Sequence, residues 1–289
     1  LRGDIWSYGG WSANITPMYR KRYRYQGGLN LSIQSTKRNF KGDPDFNKAR
    51  TYNISWNHSI DPRARPGTNF SANVNAGSSR YNEFLPNNPD RFFQNQLTSS
   101  ISYTKTWAGK PYNLSISANH NQNNKTRLMN LMLPDVGFSV NTIYPLQSKN
   151  MVGTPKWYER LGIGYNGVAR NQLSFYDTAQ NSFKSLLDTM QWGAQHRIPI
   201  SLSLPALGPF VISPGISYAE NWLTTRMRRG WDSVNNKLDT ISREKGFYTD
   251  REMTFSLSLN TALYGTLNFK NSRLVALRHV ARPMFSFNY

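Results

Sequence analysis

The sequence predicts an all-β protein: an antiparallel transmembrane β-barrel of the outer-membrane type, its 289 residues supplying about 12–14 strands of a larger barrel. Three observations predict it. Apolar and polar residues alternate with period 2, the spacing at which a strand turns successive side chains to opposite faces. The alternating segments run to about 9–16 residues, whereas soluble strands average about 5–6 and a tilted strand needs about 9–11 to cross a bilayer. The polar face carries Ser, Asn, Thr and Gly rather than the Lys and Glu of a soluble sandwich, which suits a water-filled lumen.

Taken in chain order, Leu29, Leu31 and Ile33 alternate with Asn30 and Ser32, and Tyr52, Ile54 and Trp56 with Asn53, Ser55 and Asn57. Phe70, Ala72, Val74 and Ala76 alternate with Ser71, Asn73 and Asn75. Leu114, Ile116 and Ala118 alternate with Ser115, Ser117 and Asn119. Ile200, Leu202 and Leu204 alternate with Ser201 and Ser203, and Phe255, Leu257 and Leu259 with Ser256 and Ser258. The expected lumen-facing set is therefore Asn30, Ser32, Ser55, Asn57, Ser71, Asn73, Ser115, Ser117, Ser201, Ser203, Ser256 and Ser258, with the apolar partners turned to lipid. Trp6, Trp11, Trp56, Trp107, Trp157, Tyr158, Trp192 and Trp222 sit towards segment ends, where interfacial girdles belong.

Connections are expected to alternate short and long. The short ones, placed in the periplasm, are 20–22, 61–67, 108–110 and 205–209; the long ones, placed outside, are 36–48, 82–94, 177–190 and 230–249. Pro134, Pro145 and Pro155 interrupt the pattern between 123 and 176 and leave the strand count there open. Helical periodicity is confined to 182–190. Neither Leu1 nor Tyr289 looks like a natural terminus, so the chain is expected to be one part of a single barrel domain spanning residues 1–289.

Composition removes several classes. With no cysteine there is no disulfide framework, thiol catalysis or Cys-ligated zinc. No run of about 18 apolar residues exists, so no transmembrane helix is available. His58, His120, His196 and His279 are scattered without metal-ligand spacing, and no nucleophile elbow, P-loop or dinucleotide fingerprint appears. No enzyme, cofactor or metal is expected. Asp232, Asp239, Glu244, Asp250 and Glu252 read as a solvated loop, with a lipid-bridging divalent cation as the lesser alternative.

The net charge of +19 fits either nucleic acid or phosphorylated lipid. Nucleic-acid binding wants aromatics interleaved with cations on one exposed platform, and here the aromatics follow the apolar face, so no nucleic acid is expected. Two basic clusters, Arg20, Lys21, Arg22 and Arg24, and Arg226, Arg228 and Arg229, are ordinary charged turns beside headgroups or, more specifically, contacts to lipid phosphate.

Several strings carry a resemblance: 2–7 with 19–23, Trp56-Asn57-His58-Ser59 with 61–66, Leu133-Pro134-Asp135 with Ile143-Tyr144-Pro145 and Trp157-Tyr158-Glu159, and 277–280 with Pro283. In their order and spacing they resemble the LPS-assembly protein family LptD in its Bacteroidetes-type form, over almost the whole chain. That resemblance implies a large outer-membrane barrel inserting lipopolysaccharide into the outer leaflet through a lateral opening. It implies a plug lipoprotein of the LptE type and periplasmic LPS-bridge proteins as partners, besides outer-membrane lipids. It also implies a preceding jellyroll and closing C-terminal strands, with no counterpart in this stretch. Family gate strands carry prolines that weaken pairing, and Pro17 is the candidate strand-pairing breaker. The alternative is a different barrel, a porin or nutrient receptor passing small solutes.

Overall fold

The computed structural model describes residues 1–78, 81, 96–148, 150, 153–177, 190–233, 236–269 and 275–289. Its strands, in order, are β1 (Arg2–Ile5), β2 (Trp11–Ile15), β3 (Met18–Lys21), β4 (Tyr25–Arg38), β5 (Asn47–Ile60), β6 (Thr68–Gly77), β7 (Gln96–Thr106), β8 (Tyr112–Asn123), β9 (Leu128–Ile143), β10 (Leu161–Tyr176), β11 (Gln191–Leu202), β12 (Phe210–Asp232), β13 (Lys237–Thr261), β14 (Leu263–Asn268), β15 (Ala276–Ala281) and β16 (Met284–Asn288). Fourteen form one sheet in the order β1-β2-β4-β5-β6-β7-β8-β9-β10-β11-β12-β13-β16, with β3 also on β4; β14 and β15 make a separate hairpin. Every strand in that path except β16 pairs with its sequence neighbour or, across the β2–β3 break, its next neighbour, which is the meander of an up-and-down barrel wall.

Residues cluster into two compact units. The first comprises 1–137, 168–193 and 223–246, the second 138–167, 194–222 and 247–289. In the first unit the register aligns the alternation from strand to strand. Asn30 lies opposite Ser55, which lies opposite Asn75; Leu31 lies opposite Ile54, which lies opposite Ala76. Directly opposed residues in an antiparallel pair share a face. Thus Asn14, Ser32, Asn53, Asn57, Asn73, Ser100, Ser102, Ser117 and Asn119 continue one polar face across β2 to β8, and Ala13, Ile33, Trp56, Val74, Ile101, Tyr103 and Ile116 continue the apolar one. A one-residue slip anywhere would exchange the faces, so the alternation itself fixes the register.

The large apolar side chains just named are half-buried or exposed. Among the described residues only Ala72, Tyr81, Leu97, Leu173 and Ala219 are buried hydrophobics. By contrast Tyr52 is 50% exposed, Leu257 48% and Phe255 46%, all within strands. A water-soluble domain of this size excludes most of its large apolar side chains from solvent. This one presents them outward, an arrangement that hydrocarbon satisfies and water does not.

Connections depart from the expected alternation. The turn expected at 36–48 shrinks to 39–46, because β4 runs to Arg38 and β5 starts at Asn47. The expected loop at 230–249 is overturned: β12 reaches Asp232 and β13 begins at Lys237. At 23 and 25 residues these strands outrun any bilayer, so their far ends are wet on both faces. Alternation is then unnecessary while backbone pairing persists, and a charged sequence folds as strand. Between 123 and 176 the described residues make two strands, β9 and β10, with a short 3-10 turn at Trp157–Arg160. Pro134 lies inside β9. The connection 82–94 falls outside the described residues, as does almost all of 177–190, including the helical reading of 182–190.

Candidate functional site

Two features stand out: the polar face, and one end of the first unit where three hairpins turn.

The polar face is knitted by neutral hydrogen bonds. The Asn14 side-chain amide donates to Asn30 Oδ1 at 3.1 Å and to Ser32 Oγ at 2.5 Å, and the Ser71 and Ser102 hydroxyls meet at 2.8 Å. Ser174 Oγ donates to Asn130 Oδ1 at 2.6 Å. A basin of about 330 Å³ is lined by Asn73, Ser100, Asn119, Asn121, Asn130 and Gln172 together with His120, Leu131 and Met132. Such a surface offers hydroxyl and amide partners without fixed charge, the chemistry that suits hydrated sugar. The structure brings Asn30, Ser32, Ser55, Asn57, Ser71, Asn73, Ser115 and Ser117 onto this face. In the second unit Ser256 and Ser258 lie opposite Asn288 and Ser286, and their hydroxyls donate to the Gly215 and Ser213 carbonyls at 3.4 and 3.3 Å. Ser201 lies in β11; Ser203 falls just past its end, in the turn to β12.

At the hairpin end, β3 and β4 are joined by the turn 22–24, where the Arg24 N–H donates to the Lys21 carbonyl at 3.0 Å. Tyr23 takes φ +60°, and the Arg22 guanidinium sits 4.7 Å over its ring. Arg22 is thereby drawn off by its own neighbour. Arg20, Lys21 and Arg24 instead line an open basin of about 630 Å³ together with Tyr25, Asp61 and Arg63. The Asp61 N–H donates to the Arg24 carbonyl at 2.8 Å, which brings the next turn alongside. Asp61 Oδ1 accepts the Arg63 backbone N–H at 2.9 Å, so this carboxylate caps its own turn. Among the described residues Arg20, Lys21, Arg24 and Arg63 form no ion pair. Arg63 is a residue that sequence reasoning missed; extending the β4–β5 alternation to Tyr25 opposite Ile60 would have placed it beside Arg24.

Just inside this end, on the apolar face, Tyr19 hydroxyl meets His58 Nδ1 at 2.8 Å and accepts from Trp56 Nε1 at 2.9 Å. Tyr25 and Phe70 rings lie 5.8 and 5.5 Å from the His58 ring. A second cluster, in the second unit, repeats the pairing: Tyr165 hydroxyl to His196 Nδ1 at 2.7 Å, with Trp222 4.2 Å from the imidazole. There Glu220 accepts from Tyr218 hydroxyl (2.7 Å), Trp222 Nε1 (3.1 Å) and Arg251 Nε (3.3 Å). Rings with one polar handle are the residues of a membrane–water interface. Trp222 lies in mid-strand rather than near a segment end, because β12 continues far beyond it.

The second basic cluster does not form a turn. Arg226, Arg228 and Arg229 lie on β12, and Arg228 Nε is 3.8 Å from Glu244 on β13. The carboxylates expected in a loop sit on strands too. Asp239, in the overhanging end of β13, accepts the Thr240 backbone N–H at 2.7 Å and lies 3.1 Å from Lys237 Nζ; both hold its carboxyl below the usual range, the backbone bond more strongly. Pro17 separates β2 from β3, both of which pair with β4, and its carbonyl accepts the Leu29 N–H at 2.9 Å.

No curated protein matches the sequence. Among solved structures, the ferric yersiniabactin uptake receptor FyuA from Yersinia pestis aligns with a TM-score of 0.28 and 11% identity, over 98% of this chain and 50% of the receptor, so the chain spans half that protein's length. A family model described as LptD protein matches residues 1–289, every residue of the chain. The chain therefore belongs to the LptD family, and its strands are wall of an outer-membrane β-barrel.

Proposed function

We propose that this wall, residues 1–289 as part of one barrel domain, serves to insert lipopolysaccharide into the outer leaflet, and that it does so without bond chemistry. The carrying observation is the two-faced register. A Ser/Asn face, uncharged between its rims, runs across β2 to β8, backed by an apolar face whose large side chains there are mostly half-buried or exposed. An amphiphile needs both: hydroxyl and amide partners for its sugars, and hydrocarbon contact for its chains. Family membership supports lipopolysaccharide as that amphiphile. In this reading a plug lipoprotein of the LptE type fills the lumen against the same Ser/Asn side chains, and periplasmic bridge proteins deliver the lipid. Pro17, which cannot donate to a ladder, interrupts the pairing against β4 between β2 and β3 and supplies a weak point there. No group on the polar face is positioned as nucleophile or acid–base pair in this mechanism; its residues act by hydrogen bonding alone.

The test is site-specific photo-crosslinking in cells. A crosslinking side chain at Asn73 or Ser100 is expected to capture lipopolysaccharide. The same probe at Val74 or Ile101, one residue away on the other face, is expected to capture bulk phospholipid. Lipopolysaccharide absent from the Asn73 and Ser100 adducts, with small solutes conducted instead, would favour a porin-like role.

A further inference from the structure

The basin at the β3–β4 and β5–β6 turns has a chemistry of its own. Four cations, Arg20, Lys21, Arg24 and Arg63, line it against one carboxylate, and that carboxylate is committed to capping a turn. The basin straddles the rim of the wall. Arg20, Gln26 and Ser59 stand in one cross-strand row, on the polar face; Lys21, Tyr25 and Ile60 stand in the next, on the apolar face. Immediately inward on the apolar side lies the Tyr19–Tyr25–Trp56–His58 cluster, the kind of aromatic layer that marks headgroup depth. The next hairpin along repeats the arrangement, with Lys105 Nζ 4.9 Å over the Trp107 ring and Trp107 edge-on to Tyr112. These three turns, 22–24, 61–67 and 107–111, share one end of the strands β3 to β8. That end is taken as the periplasmic one, where barrel turns are short and the adjoining leaflet is phospholipid.

We propose that this basin is a headgroup site for an anionic phospholipid. The phosphodiester is held among Lys21, Arg24 and Arg63, and the acyl chains run along the apolar face below Tyr25. Arginine forks pair with phosphate oxygens bidentately, and the open side of the basin admits a lipid from the membrane plane. The site would anchor this edge of the wall at a fixed depth while neighbouring strands move. The proposal rests on the outer-membrane placement of the wall and assumes nothing about lipopolysaccharide.

The experiment is native mass spectrometry of the full-length protein, delipidated in neutral detergent and titrated with phosphatidylglycerol. Each cation near an anionic headgroup contributes on the order of 1 kcal/mol, about fivefold in affinity. Arg24→Gln with Arg63→Gln is therefore expected to weaken phosphatidylglycerol binding by roughly 25-fold, while Lys37→Gln with Arg38→Gln, at the far end of β4, changes it less than about twofold. Should the first pair fail to insert, Arg63→Gln alone, in an exposed turn, carries the reading at roughly fivefold. Equal losses from both pairs would mean general charge attraction and overturn the site. So would efficient displacement of phosphatidylglycerol by monophosphoryl lipid A, which would reassign the basin to glycolipid phosphate. Either failure leaves the polar-face crosslinks untouched, so the two proposals stand or fall separately.

Discussion

Arginine in place of Ile54 is expected to destabilise the barrel by about 2–4 kcal/mol, while arginine in place of Ser55 costs less than about 1. The two residues are neighbours in the middle of β5, with the same backbone pairing. They differ only in face. Ile54 stands between Leu31 and Ala76 in the apolar row, so a guanidinium there is set into hydrocarbon far from either headgroup layer. Ser55 stands between Asn30 and Asn75, where water and amide groups solvate the charge. Denaturant unfolding of the lipid-reconstituted protein, followed by heat-modifiable gel mobility, measures both. Equal penalties would mean that neither face meets lipid. A reversed order would mean that the Ser/Asn face does, and the sugar-binding role proposed for it would go with that result.

That this contrast can be stated at all shows how much of the wall was legible in the sequence. Period-2 alternation is set by the pleat and by the two solvents on either side, so wherever a segment crosses the bilayer the pattern is written residue by residue. Leu29 to Ile33, Tyr52 to Asn57 and Phe70 to Ala76 all fall in strands on those grounds. Where the solvent is the same on both faces the pattern vanishes although the strand does not. Lys237 to Asp250 reads as a charged loop yet pairs as β13, because its polar side chains satisfy water on both sides and exposed pairs such as Lys237 with Asp239 cost nothing to form there. The basic rim was half legible. Arg20, Lys21 and Arg24 announce themselves as a run, but Arg63 joins them only through cross-strand register, and Arg22 leaves them because the left-handed backbone at Tyr23 offers it a ring. The Tyr19–His58 and Tyr165–His196 contacts join residues far apart in sequence, and no local signal links them.

Valine at position 27 is expected to lower stability by about 1–3 kcal/mol, whereas valine at position 28, one residue on, stays within about 0.5. Both glycines lie in β4, both in extended backbone, so intrinsic strand propensity favours either substitution. The difference lies in what a Cβ would touch. At Gly27 it would run into the hydroxyl end of Tyr19 and the backbone carbonyl of Asn57. At Gly28 the nearest atom is the Asn57 side-chain oxygen at 3.5 Å, an ordinary contact. Gly27 is therefore the seat on which the Tyr19 ring lies, and the ring in turn fixes Trp56 and His58 through its hydroxyl. Filling the seat ejects Tyr19 and dissolves the aromatic layer at that depth. Removing the ring should restore only part of the loss, since the Asn57 carbonyl belongs to the β5 backbone and cannot swing aside. Gly27→Val combined with Tyr19→Ala is thus expected to be more stable than the sum of the two single losses, yet less stable than Tyr19→Ala alone. Strict additivity would show that Tyr19 does not rest on Gly27, and the aromatic layer would then owe its position to lipid rather than to the strand beneath it.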